Sequence, residues 1–99
     1  LERAGLLDDA RFARARADAL AARGYGDAAI RVDLERQGVR SEIAQEVLAA
    51  VEPEQARARR ILARRGRGVQ TLRRLAARGF DPETIATEAE LEAEFADGA

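Results

Sequence analysis

The sequence predicts an all-α protein made of tandem three-helix repeats, about six short helices in an elongated or curved array. Apolar residues recur at spacings of three and four, glycines close each such stretch, and one pattern returns 42 residues later. No alternating β-branched run and no Asn-Gly or Asp-Gly hairpin turn competes with this reading.

The elements follow in order. Asp8 or Asp9 is placed to N-cap a helix reaching Arg23, with Phe12, Ala15, Ala19 and Leu20 on one face. Gly24 follows as a stop, because glycine alone adopts positive φ at little cost. A second helix spans Asp27 to Gln37, with Ile30 and Leu34 one turn apart, and Gly38 closes it. Ser41 is expected to cap a third, with Ile43, Val47, Leu48 and Val51 inward. Pro53 suits the first turn of a fourth, which ends near Arg65 and Gly66. A fifth runs from Val69 to Arg78 with Leu72, Leu75 and Ala76 inward, and Gly79 stops it. Asp81 and Pro82 then open a sixth, an N-cap followed by an N1 proline, with Ile85, Leu91 and Phe95 on its apolar side.

The repeat is visible in Arg23-Gly24-Tyr25-Gly26, echoed by Arg65-Gly66-Arg67-Gly68. Ile30 and Leu34 correspond to Leu72 and to Leu75 or Ala76, Gly38-Val39 to Gly79-Phe80, and Ile43 to Ile85. The expected division is 8–51 and 52–95 as two repeats, 1–7 as the end of a preceding helix and 96–99 as a tail. The chain opens on Leu1 rather than Met, so a further unit upstream is expected. Glycines 24, 26, 38, 66 and 79 are read as structural.

Composition bounds the chemistry. Half of the 46% hydrophobic residues are alanine, so the core is thin and the helices must approach closely. With no Cys and no His, disulfides, zinc fingers, thiol nucleophiles and imidazole bases are excluded. The absence of Cys is compatible with a reducing cytoplasm. The carboxylates fall at i±4 from arginine or in first turns, where solvated pairing explains them, and Ser41 has no base beside it. No Gly-rich phosphate loop occurs. Catalysis, a cofactor and a metal site are therefore not expected, nor is a membrane span.

The formal charge of −1 conceals a segregation. Residues 55–80 carry nine arginines and no acid, while residues 81–99 carry seven acids and no base. Arg57, Arg60 and Arg64 share a face of the fourth helix, and Arg59 lies beside them. Arg74 and Arg78 share a face of the fifth helix, flanked by Arg73, and Arg67 lies in the turn between. Like charges so close repel by about 0.2–0.5 kcal/mol per pair, so a polyanion, an acidic partner or the acidic tail is expected to compensate. Arg57, Arg60, Arg64, Arg67, Arg73, Arg74 and Arg78 are the candidate contact surface, with Tyr25, between two glycines, as a second candidate. Few aromatics means little base stacking, so any nucleic acid would be held through phosphate. The alternatives are a non-specific basic DNA-binding helical module, a helix-turn-helix reader and a scaffold that pairs with itself. The second and third helices lack the basic cluster that a helix-turn-helix reader needs.

Several motifs together resemble the RecX family of recombinase regulators. They are Asp9…Phe12-Ala13, Arg23-Gly24-Tyr25-Gly26, Ile30, Leu34 and Gln37-Gly38-Val39, then Leu75-Ala76-Ala77-Arg78-Gly79-Phe80-Asp81…Ile85. The resemblance covers about Leu7 to Glu88. It implies three tandem three-helix repeats, of which the second and third are present. It further implies a cytoplasmic, monomeric, non-enzymatic regulator of DNA repair, recombination and the SOS response. Such a regulator binds the RecA–single-stranded DNA filament, limits its growth and activity, binds DNA without sequence preference and takes no small-molecule ligand. The loop at Gly66–Gly68 is shorter, and the tail after Glu88 more acidic, than the family pattern.

Overall fold

The computed structural model describes the backbone of residues 2–98 and the side chains of residues 9–94. Six helices follow one another: α1 (Glu2–Ala22), α2 (Asp27–Arg36), α3 (Ser41–Ala50), α4 (Glu54–Arg65), α5 (Val69–Ala77) and α6 (Pro82–Gly98). The first three pack on one another, and the last three do likewise, with α6 laid mainly along α4. The two units form a rod of 56 × 20 × 19 Å.

Five local details differ from the sequence reading. Helix α1 starts at Glu2 and runs through Gly5, Asp8 and Asp9, so neither aspartate marks its start. An alanine-rich stretch with strong helix propensity tolerates an interior glycine at about 1 kcal/mol. Its buried face is Ala13 and Ala17 with Leu20 and Ala21 beside them, while Phe12, Ala15 and Ala19 are exposed. Placing methyl groups inward lets α1 approach α2 and α3 closely. Arg40, in extended conformation, occupies the N-cap of α3, and Ser41 is the first helical residue and not the cap. Pro53 is likewise the N-cap of α4 rather than its first helical residue. On α5 and α6, Leu75 and Ile85 are buried as expected, but Ala76 and Leu91 are exposed. The Phe95 side chain lies outside the described residues. Asp81 does cap α6: its Oδ1 accepts from the Glu83 N–H at 2.7 Å.

Three helices end in the same way. Gly24, Gly38 and Gly79 have φ near +90°, and each donates to the carbonyl three residues back, namely Ala21, Glu35 and Ala76. The following residue donates to the carbonyl five back: Tyr25 to Leu20, Val39 to Leu34 and Phe80 to Leu75. This paired closure is the Schellman motif, and in each case an apolar residue follows the glycine and packs inward. Gly66 ends α4 differently. It makes one bond, to Leu62, and continues at ψ 170° into exposed Arg67. The repeat is therefore imperfect where arginine replaces the tyrosine of the first unit.

The two units have separate cores. Ile30, Leu34, Val39, Val47, Leu48 and Val51 surround the α1 alanines in the first. Ala58, Leu62, Leu75, Phe80 and Ile85 form the smaller second core. Backbone meets backbone where the units join. The Gly26 N–H donates to the Arg78 carbonyl at 2.8 Å, and the Ala28 N–H donates to the Gly79 carbonyl at 3.2 Å. These unpaired first amides of α2 thus find acceptors in the α5–α6 turn of the other unit. A Cβ on Gly26 would lie 2.5 Å from the Gly79 carbonyl and from Phe80 N. Gly26, at φ −87°, is therefore required by close approach and not by backbone conformation.

Gly26→Ala and Gly68→Ala isolate that contact. Both replace a helix N-cap glycine, and nothing lies within 4 Å of a Cβ at Gly68. In urea titrations Gly26→Ala is expected to cost about 1–3 kcal/mol more than Gly68→Ala, the range for overpacking. Equal losses would mean that the loops do not touch as described.

Candidate partner-binding surface

The sequence places Arg57 on a surface, but the structure buries it. Only 2% of the residue is exposed, at the seam between the units. Its Nε donates to the Glu52 carbonyl at 3.0 Å, and its Nη1 to the Tyr25 carbonyl at 2.8 Å. Its Nη2 binds the Asp27 carboxylate, and its guanidinium carbon sits 5.8 Å from the Phe80 ring centre. One side chain thus joins the α1–α2 loop, the start of α2 and the second core. Glu54, one turn earlier on α4, completes the seam. Its carboxylate accepts from the Asp27 N–H at 2.7 Å and the Asp81 N–H at 3.2 Å, so one anion serves the N-termini of α2 and α6.

Three further arginines have intramolecular partners. Arg60 forms a two-pronged pair with the Glu52 carboxylate at 2.6 and 2.7 Å. The Arg60 guanidinium holds Glu52 below the usual carboxylate range. Arg59 pairs with Glu88 at 2.9 Å, so the acidic last helix neutralises one arginine of the run. Arg78 donates to the Arg23 carbonyl at 2.7 Å and covers the Tyr25 ring at 4.6 Å from its centre. Tyr25 is accordingly half-buried, with its Arg78-covered face unavailable for stacking on a base. On the first unit, Arg16 binds Asp33 at 2.6 and 2.9 Å and holds it below the usual carboxylate range.

The other candidates are exposed: Arg64, Arg67, Arg73 and Arg74 make no salt bridge among the described residues. Arg64 and Arg74 lie together in a furrow that also contains Arg65 and Arg23, which sequence reasoning leaves out of the contact surface. The floor includes Ala22, Gly24, Ile61 and Leu75. Arg65 and Arg74 continue it past Gln70 and Thr71, and Arg60, Arg64 and Arg65 continue it toward Ala21 and Ala22. Arg78, followed by Arg65, lowers the Arg74 pKa, because like charge opposes the protonated guanidinium. The repeat itself holds the missing signal: Arg23 and Arg65 are equivalent positions of the two units. Arg67 and Arg73 do not line the furrow.

Arg57→Leu separates the seam from the surface. Leucine leaves the Tyr25 and Glu52 carbonyls without this donor, at about 1–3 kcal/mol for each buried group left unpaired. Arg64→Ala, on an exposed residue without an ion-pair partner among those described, is expected to stay within about 0.5 kcal/mol of the parent. Thermal and urea unfolding of the two variants provides the comparison, and an Arg57→Leu chain as stable as the parent would contradict the seam.

Among the described residues, no helix is long and apolar enough to cross a membrane, and no group of carboxylates is arranged to hold a metal ion. Searches of characterised proteins and of solved structures return no match. Residues 8–48 match the model of the RecX second three-helix domain, a span that takes in the core of the first unit except Val51, and the Arg23–Gly26 loop. The first three-helix unit is thus similar to the second three-helix domain of RecX proteins.

Proposed function

We propose that this chain regulates a RecA-type recombinase in the cytoplasm by docking, as a monomer, on the filament that the recombinase forms with single-stranded DNA, limiting its extension and activity. The observation that carries the proposal is the match of residues 8–48 to a RecX domain. The second unit repeats the helix order of the first and corresponds in this reading to the family's third repeat. A rod 56 Å long and about 20 Å wide suits a groove in which several recombinase protomers are touched at once. The exposed arginines Arg64, Arg67, Arg73 and Arg74, with Arg23 and Arg65, form the basic contact surface. Arg57 holds the rod's shape, and Arg60, Arg78 and Tyr25 frame the surface from paired positions.

A second reading is a free-standing basic module that binds nucleic acid without specificity, favoured by the same arginines. Inhibition of filament-dependent ATP hydrolysis, measured with single-stranded DNA saturating, separates the two. Filament docking predicts inhibition that persists when excess free DNA is added. Inhibition that vanishes at the stoichiometry of simple competition for DNA would favour the module and remove the docking proposal.

A further inference from the structure

The furrow is assembled from both units. Arg23 and Gly24 come from the end of α1, Arg64 and Arg65 from the end of α4, and Arg74 from α5. Three small hollows run into one another along it, with Arg65 lining all three. No described carboxylate bridges Arg23, Arg64, Arg65 or Arg74. The Glu52–Arg60 pair stands at one end and the Arg78–Tyr25 stack lies close to the Arg23 end. We infer that this furrow is a composite track for consecutive phosphates of a single nucleic-acid strand, complete only when the two three-helix units are docked.

The chemistry favours phosphodiester over an acidic peptide. Planar guanidiniums along a narrow furrow suit a regularly charged strand, since each presents paired donors to phosphate oxygens. The floor is alanine, glycine, the half-buried Ile61 and the buried Leu75, so it offers a peptide side chain little exposed apolar surface. The one nearby aromatic, Tyr25, lies under Arg78, so the track offers phosphate contacts and no base stacking there. Like-charge crowding at Arg74 is relieved when anion fills the furrow. A strand lying there ties Arg23 of one unit to Arg65 and Arg74 of the other, so binding stiffens the joint that Arg57 and Glu54 hold.

This inference rests on the arginine surface assigned above, but its test needs no recombinase. Binding of fluorescent oligothymidylate to the full chain is followed by anisotropy across a salt series. Arg23→Ala, Arg65→Ala and Arg74→Ala are each expected to weaken binding and to flatten the slope of log affinity against log salt by about 0.7 for each phosphate that is no longer neutralised. Arg11→Ala, on exposed α1 outside both the furrow and the basic contact surface, is expected to leave the slope as in the parent. The oligonucleotide is expected to raise the melting temperature of the parent more than that of Arg23→Ala. The composite track is overturned if Arg23→Ala binds like the parent, or if Arg11→Ala is as damaging as the furrow variants. It is also overturned if polyglutamate displaces the oligonucleotide as effectively as unlabelled oligonucleotide at equal charge. Furrow variants that bind oligonucleotide like the parent but no longer inhibit the filament would remove the track and leave the docking proposal standing. A chain that binds through the furrow but never inhibits the filament would do the reverse.

Discussion

The fold depends on one buried cation. The two helical units have separate cores, and hydrogen bonds around Arg57 and Glu54, beside the backbone bonds of Gly26 and Ala28, join them. A guanidinium suits this role because its donors leave in fixed, coplanar directions, here toward the Tyr25 and Glu52 carbonyls and the Asp27 carboxylate. Lysine would present a point charge with no such geometry. Burying a charge without partners is prohibitive, so this joint forms as a whole or does not form. Among the described residues no buried side-chain nitrogen or oxygen lacks a partner, consistent with a seam of that kind.

The joint explains why glycine is needed on both sides. Gly26 must admit the Gly79 carbonyl, and a Cβ on Gly79 would lie 2.6 Å from Ala29 N. Polar contact at this closeness brings the ends of α1 and α4 side by side, and the repeat-equivalent Arg23 and Arg65 with them. The surface with functional potential is thus a consequence of how the units meet.

Much of the architecture is legible in the chain because its signals are local. Helix ends at Gly24, Gly38 and Gly79 are set by the φ that glycine permits and by the apolar residue after each. The start of α1 is less legible, since an alanine-rich helix passes through a glycine and two aspartates without a distinct signal. Its inward face is also hard to read: Phe12 stands out by size, while the packing uses Ala13 and Ala17. The arginines are the least legible. An acid-free run describes only near neighbours, and the partners here lie far away in sequence or on the backbone: Asp27 for Arg57, Glu88 for Arg59, the Arg23 carbonyl for Arg78. Arg64 and Arg74 converge on a furrow whose other side, Arg23, can be found only by laying one repeat over the other.

Native-state hydrogen exchange at the amides of Gly26, Ala28 and Asp81 tests the joint most directly, because each donates across the seam or to Glu54. Opening free energies match those of the core amides when one cooperative unit holds them all. The expected result is that these three exchange together with Ile30 in the first core and Leu75 in the second. Rapid exchange at Gly26 and Ala28 while both cores stay protected would show two units hinged freely on a linker, and would contradict it.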